Sequence, residues 1–474
     1  MKIFCMISQV FPYIIQLNIL QLEEYSLKRF LCWIANNFTK RSLEGKKKLV
    51  WTAKAKLLTA AVIIELLAAM AIMAVKFGLF GLILTLILAT QPYLFLTVGL
   101  LALFPLDKLT RTVIRIKTKI KIKRLKAGGL KVIGITGSYG KTGTKEILYQ
   151  LLKTKYRVLK TPLSYNTLLG IAKVVDWELD KNYDFFICEM GAYKKGEIRG
   201  LCWMVQPDHA ILTGINQQHI ERFGSEEAII QTKFELVDYV EKNSQKDSQA
   251  VMNQDSRQIM ENYKYHAANP VFYGTDNGSY RVKSHFNPER LETEFQLNLN
   301  STEFKGKTKL IGKPAINNLL AAGTMASLLA VDGENIVKTA FHLKNPPHRL
   351  EIKQKSDGNI IIDDSYNSNR DGFMEALGLL NKFEDRKKII VTPGIVELGN
   401  TTKSAHEQLG KQMDRICDYV ILVGKNERTL ALKENVNIEK VVFIERIQDF
   451  TEILKQKEVN QAAVLLENDL PDNY

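Results

Sequence analysis

The stretch from Ile133 to Glu146, IGITGSYGKTGTKE, limits what this chain can fold into more than any other. An apolar run, Lys131 to Ile135, leads into a glycine-rich turn, and a helix-like segment, Lys145 to Leu152, follows. Strand, loop and helix in that order are the setting of a phosphate-binding loop. Thr136, Gly137, Ser138 and Gly140 form the cradle, the two glycines letting the backbone approach a phosphate closely. Lys141 would neutralise the β- and γ-phosphates, and the Thr142 hydroxyl would sit on Mg²⁺. The general pattern G-x-x-x-x-G-K-[ST] asks for Gly where Ile135 stands, so the loop is a variant, T-G-x-x-G-K-T.

A chain of 474 residues has room for two or three domains. Its five cysteines are scattered without a C-x-x-C, which argues against a disulfide framework or zinc site. The net charge of +14 fits nucleic acid or an anionic membrane surface, and its location decides between them. Leu57 to Phe104 is apolar apart from Glu65 and Lys76. At about 20 residues per span it predicts a transmembrane hairpin, turning at Lys76-Phe77-Gly78, with Pro92 kinking the second span. Glu65 inside a span is either a functional polar group or faces a partner helix. Lysines before the stretch and the Arg111–Lys126 run after it are basic flanks that predict cytoplasmic ends. The basic run, directly after a span, suits anionic lipid headgroups rather than nucleic acid. For residues 3–20 a third span, an interfacial helix and a signal peptide compete. Gln21 to Phe38 reads as an amphipathic helix with Tyr25, Phe30 and Trp33 as interfacial anchors. The expectation is a multi-pass membrane protein with its catalytic domains on the cytoplasmic side.

Beyond the loop, apolar runs at 156–159, 183–188, 209–212, 250–252 and 271–273 alternate with helix-like segments. This predicts a parallel α/β sheet. Residues 280–310 read as short antiparallel strands, and 317–330 as a helix. Asn345-Pro346-Pro347-His348 reads as a hinge, after which a second α/β unit begins. The expected division is 1–56 as an amphipathic, membrane-seeking segment, 57–104 as the hairpin and 105–130 as a basic juxtamembrane linker. An ATP-binding domain at 131–348 and a C-terminal Rossmann-like domain at 349–474 follow.

In such sheets ligands bind outside the carboxyl ends of the strands. Glu189 ends the run YDFFICE and can hold the metal that Thr142 touches. His219 follows HAILT, with Glu221 and Lys233 beyond it. TGSYGKTGTKE, CEMGAYKKGEI, HIERFGSEEAIIQTKFE, VMNQD, HRLE and DDSYNSN occur in this order, and together they resemble the Mur ligase family over about residues 131–450. Within it the chain is most similar to the branch that adds D-alanyl-D-alanine to a peptidoglycan precursor.

That resemblance implies an ADP-forming, ATP-dependent acid–amino-acid ligase working through an acyl phosphate. Its cofactors would be ATP and Mg²⁺. Its partners would be a small-molecule or lipid-linked cell-wall precursor, an amino acid or dipeptide, and membrane lipids, with no nucleic acid. Lys141, Lys233 and His219 would be the catalytic groups. Thr142, Glu189, His219 and Lys233, the last as a CO₂-derived carbamate, would hold two metal ions. Asn253 resembles the adenine contact, and Arg349 and Asp364 the nucleotide contacts of the C-terminal domain. Ser164, Asn166, Thr167, Tyr366 and Asn367 fall on the substrate side.

Three stretches depart from the family pattern. Residues 1–130 show no counterpart of the usual UDP-sugar domain. The G-x-H-N motif reads Gly312-Lys313-Pro314-Ala315, with only Asn318 fitting, and the chain ends LLENDLPDNY in place of a Lys-Gly-Ser-Arg run. Another amide ligase, such as one glutamylating a cofactor, a membrane-tethered P-loop ATPase and a non-catalytic scaffold remain alternatives.

Overall fold

The structure is a computed structural model that describes residues 12–23, 25–36, 49–162, 165–216, 220–243, 247–267, 269–276, 278–366, 369–396, 398, 401–456 and 459–467. The chain divides into two compact units, residues 1–113 with 470–474, and residues 114–469.

The first unit is helical. Tyr13–Leu22, Leu27–Asn36, Ala53–Ala89 and the start of Pro92–Ala127 are its elements. Gly78 breaks the third helix with φ 57°, and a Cβ on Gly81 would lie 2.1 Å from the Met73 carbonyl. Eight residues of straight helix span about 12 Å, so the chain folds back sharply at the expected turn. Pro92 opens the next helix after a break at Thr90–Gln91 instead of kinking a span. Phe30 is fully buried with Leu17, Leu20, Leu58 and Leu96, so it is a packing residue here and not an outward anchor.

The described part of residues 3–20 is the ten-residue helix Tyr13–Leu22, about 15 Å long. That is too short for a hydrocarbon core of about 30 Å. Ala53–Ala89 and Pro92–Ala127 are long and apolar enough to cross a membrane, with 11% of each apolar window buried. Length and composition are all that this establishes, since a core helix or a signal sequence passes the same test.

The second unit holds two sheets. The first runs β2-β3-β1-β4-β5-β6-β7-β8-β9. Its strands are β1 Lys131–Thr136, β2 Val158–Lys160, β3 Phe185–Glu189, β4 His209–Leu212, β5 Ala250–Asn253 and β6 Val271–Gly274, then β7 Tyr280–Asn287, β8 Glu292–Leu299 and β9 Thr302–Thr308. The pairs from β2 through β7 are parallel, and β7-β8-β9 is an antiparallel meander.

Helices cover both faces of the parallel part, which explains why its strands read as continuous apolar runs. Val132, Phe186 and Leu212 pack against helices Leu168–Trp177, Glu197–Val205 and Glu226–Asn243. Ile133, Ile135, Ile187 and Ile211 pack against Lys141–Leu152 and Lys313–Leu328.

The second sheet runs β10-β11-β15-β12-β13-β14. These are Glu351–Gln354, Ile360–Asp364, Ala463–Glu467, Lys388–Thr392, Tyr419–Val423 and Val441–Ile444, all parallel except for β10. Strand β15, the last of the described strands, sits between β11 and β12.

Between the sheets, Asn345 fixes the segment that reads as a hinge. Its Oδ1 accepts from Ile311 N at 2.9 Å, and its Nδ2 donates to Ile311 O and Arg349 O at 2.9 Å and to Leu350 O at 3.1 Å. His348 and Leu350 flank Arg349 with φ of 61° and 53°, backbone that L-residues rarely adopt and that needs such outside support. Asn345→Ala removes every one of these bonds. It should lower stability by about 1–3 kcal/mol in urea denaturation. A loss below about 0.5 kcal/mol would mean that the segment is held by something else.

Candidate active site

The site forms where β3, β1 and β4 end side by side. Ile135 is in register with Glu189, and Thr136 with Leu212. Thr136 is buried, and its Oγ1 donates to Met190 O at 2.9 Å, tying the start of the loop to β3. On the other side the Thr213 N–H donates to Thr136 O at 3.0 Å, and the Thr213 hydroxyl donates to Tyr139 O.

The loop glycines answer to this crowding. A Cβ on Gly137 would fall 2.2 Å from Thr213 Oγ1. Gly140 has φ 80°, and a Cβ there would meet Asn318 Oδ1 at 2.7 Å. Gly143, in the following helix, would meet Asn318 Nδ2 at 2.3 Å. Asn318 therefore packs directly on the loop, accepting from Thr144 Oγ1 at 3.2 Å.

Lys141 opens the helix Lys141–Leu152, and its ammonium donates to Gly137 O at 2.7 Å and Ser138 O at 3.1 Å. Burial pulls its pKa down to about 8. The Glu189 carboxylate opposes that shift and the Arg349 charge adds to it. Ser138 Oγ pairs with Asn216 N and O, both at 3.2 Å.

Glu189 is buried at the end of β3. Its Oε2 accepts from Lys145 Nζ at 3.0 Å and its Oε1 from Asn166 Nδ2 at 3.1 Å. Burial raises its pKa, but the charges of Lys145 and Lys141 outweigh that and hold it below the usual carboxylate value. Thr142, the second residue of the loop helix, is half-exposed, its hydroxyl in no hydrogen bond among the described residues. An ionised carboxylate and a free hydroxyl beside a phosphate loop are hard oxygen donors, the set Mg²⁺ prefers. The residues present fit that ion.

Lys233 lies on the helix Glu226–Asn243, only 4% exposed, with its Nζ 5.7 Å from the centre of the Phe223 ring. Burial drives its pKa down to about 7. Lys141 lowers it further, while Glu197 and Glu235 partly offset the shift. Asn253 ends β5 with its amide engaged within the protein, Nδ2 donating to Thr213 O at 2.8 Å and Oδ1 accepting from Asp255 N at 2.9 Å. Thr167 precedes the helix Leu168–Trp177.

Just before β10, the Arg349 guanidinium lies 4.4 Å from the centre of the Tyr366 ring. The charge of Arg349 helps lower the Lys141 pKa, and that of Asp371 helps raise the Tyr139 pKa, which burial pushes up to about 12. Asp364 ends β11, accepting from Leu350 N at 3.1 Å. Burial lifts its pKa to about 6, against the opposing pull of the Leu350 N–H and Arg349. Ser164, His219 and Asn367 lie outside the described residues.

Sequence reading gives no role to Lys145, Asn345 or Asn318. Lys145 lies within TGSYGKTGTKE and Asn345 within the expected hinge, but only the fold brings the first to Glu189 and gives the second its hydrogen bonds. Asn318 is the one residue fitting the departed G-x-H-N pattern, and the fold packs it on the loop.

The Lys233 amine gives a pH-dependent outcome. Its folded pKa of about 7 lies below the ordinary 10.5. Between these values the unfolded chain binds more protons, so the parent loses stability as pH falls from about 10.5 to 7 and levels off below. In CO₂-free buffer the stability of Lys233→Met relative to the parent should therefore rise as pH falls from about 10.5 to 7. A difference independent of pH would contradict the depressed amine.

Comparison with known proteins gives these features a family. The profile for the Mur ligase middle domain matches residues 135–326, and that for the Mur ligase glutamate ligase domain matches residues 348–466. The UDP-N-acetylmuramoyl-tripeptide–D-alanyl-D-alanine ligase of Bacillus subtilis is 28% identical over 347 residues, 71% of this chain and 70% of the relative. The enzyme of that name from Mycobacterium tuberculosis is 28% identical over 67% of this chain and 63% of its own. The chain thus spans roughly two thirds of the length of these relatives. The crystal structure of the Thermotoga maritima MurF ligase in complex with ADP is similar with a TM-score of 0.64 and 28% identity, covering 75% of this chain and 80% of that one.

These findings correct the expected localisation. The relatives are named for a UDP-linked precursor, which is a water-soluble molecule, and both profile matches begin after the two long apolar helices. A multi-pass membrane placement resting on those helices is not retained. With both profiles matched in order across the two sheets, the chain belongs to the Mur ligase family.

Proposed function

We propose that this chain is an ATP-dependent ligase that adds D-alanyl-D-alanine to the peptide of a UDP-linked muramoyl precursor. The observation that carries the reading is the junction of a phosphate loop with a buried, ionised carboxylate, Glu189, on strands ending side by side. The names of the relatives support the choice of substrates, and the ADP complex of the similar structure supports the nucleotide.

The acceptor carboxylate attacks the γ-phosphorus of ATP, ADP leaves, and an acyl phosphate forms. The amine of the dipeptide attacks the acyl carbon, inorganic phosphate leaves with the former carboxylate oxygen, and the amide forms with loss of one proton. Mg²⁺, when bound, spreads the charge of the phosphates. Thr142 and Glu189 would hold it, with His219 completing the donors of a second ion. Lys141 neutralises the moving phosphoryl group, whose transfer depends on positioning and charge.

The neutral amine is the form that reacts with CO₂, and burial, by lowering the Lys233 pKa to about 7, favours that form, so Lys233 is suited to become a carbamate. That converts a cation that repels Mg²⁺ into an oxygen donor. Asn253, Arg349 and Asp364 sit on the nucleotide side, the last two brought by the C-terminal sheet. Asn166, already bonded to Glu189, belongs with Ser164, Thr167, Tyr366 and Asn367 on the acceptor side.

Purified protein should release phosphate from ATP only when UDP-muramoyl tripeptide and D-alanyl-D-alanine are both present, with the pentapeptide product seen by mass. Lys141→Ala should lose roughly 100-fold or more of that turnover. Lys233→Ala should be as inactive, and acetate or formate should partly restore it by filling the anionic position. Phosphate release independent of both substrates would leave a plain ATPase, and a fully active Lys233→Arg would remove the carbamate.

A further inference from the structure

Phosphate-loop chemistry gives no part to Lys145, yet the fold buries its ammonium completely. The side chain is 0% exposed, one turn into the loop helix, with Nζ 3.0 Å from Glu189 Oε2 and 3.8 Å from Glu146 Oε1. Burying an ammonium is costly unless it is paired, and breaking such a pair leaves an uncompensated charge behind. Glu189 Oε1 is held as firmly from the other side by Asn166, and Thr161 Oγ1 accepts from the Glu189 backbone N–H at 3.1 Å. The carboxylate is thus oriented by two donors, each oxygen retaining a lone-pair direction for one further partner.

Its charge is also already spent. Lys145 and Lys141 both act on Glu189, and the nearby Glu146 is itself paired with Lys160, so three ammonium groups face two carboxylates around the metal position. A bare dication arriving there meets a net positive site. A dication arriving with nucleotide phosphates does not, because their negative charge exceeds that net positive charge. Mg²⁺ commonly binds through one or two carboxylates plus phosphates, keeping several waters.

We propose that Lys145 is a positioning residue that holds Glu189 as a charge-compensated carboxylate, so that the site takes Mg²⁺ together with nucleotide phosphates and not alone. The proposal rests on the reading of Glu189 as the metal carboxylate.

The test uses thermal unfolding without nucleotide, and calorimetry of ADP binding with and without Mg²⁺. In the full-length parent, millimolar Mg²⁺ alone should leave Tm unchanged and should tighten ADP binding. Lys145→Met should have a lower Tm that rises by at least about 4 °C when Mg²⁺ is added, the dication replacing the lost ammonium. Lys145→Gln, which keeps a hydrogen-bond donor without the charge, should respond in the same direction and guards against a folding failure of the Met variant. A Lys145→Met/Glu189→Gln double variant should lose the Mg²⁺ response, because no bare carboxylate remains. The proposal is overturned if both single variants respond to Mg²⁺ no more than the parent, or if the parent is itself stabilised by Mg²⁺ alone. Glu189→Gln separates the two readings. If Mg²⁺ still tightens ADP binding in that variant, Glu189 is not the metal carboxylate and the underlying assignment fails. If the tightening is lost while Lys145→Met and Lys145→Gln stay silent, only the role of Lys145 fails.

Discussion

Three parallel strands, β3, β1 and β4, end in register, and the site depends on that alignment. It places Glu189 beside the strand that feeds the phosphate loop and Thr213 on the other side of it. The loop has no slack between them. Thr136 is bonded to both neighbours, and the crowding by Thr213 and Asn318 admits only glycine at 137, 140 and 143. Pre-positioned backbone donors and a fixed carboxylate are what phosphoryl transfer asks of a protein, because charge there must be met without reorganisation.

The electrostatics follow from the same crowding. Lys233 is buried and Lys141 half-buried, the charge of Lys141 acting on Lys233, and each amine is easier to deprotonate for its desolvation. At Lys141 the effect is opposed by Glu189, and nucleotide phosphates would restore the full ammonium. At Lys233 Glu197 and Glu235 oppose it only in part, and the pKa falls to about 7. The same burial has therefore two chemical consequences, set by which charges lie nearby.

Much of the fold was legible because both faces of the parallel sheet are buried. Strands such as β4 and β12 appear in the sequence as unbroken apolar runs bounded by polar turns. The edge strand β10, Glu-Ile-Lys-Gln, has no such run and went unseen, since one antiparallel partner is all that holds it. The phosphate loop and Glu189 were legible because their chemistry needs fixed residue types at fixed spacing. The roles of Lys145 and Asn345 were not, although one lies in the loop motif and the other in the expected hinge, because a buried lysine and a hydrogen-bonding asparagine look like surface residues until the fold closes around them. The apolar hairpin misled the reading of location for a related reason: hydropathy reports what a helix could bury, not where the chain works.

The central claim is that the γ-phosphoryl group passes to a carboxylate oxygen of the acceptor. A muramoyl tripeptide precursor carrying ¹⁸O in its terminal carboxylate tests it most directly, by ³¹P NMR of the phosphate released during turnover. The account expects one ¹⁸O in each phosphate, carried over when the amine displaces it from the acyl carbon. Phosphate containing no label would mean that water, not the carboxylate, receives the phosphoryl group, and the ligase mechanism would be contradicted.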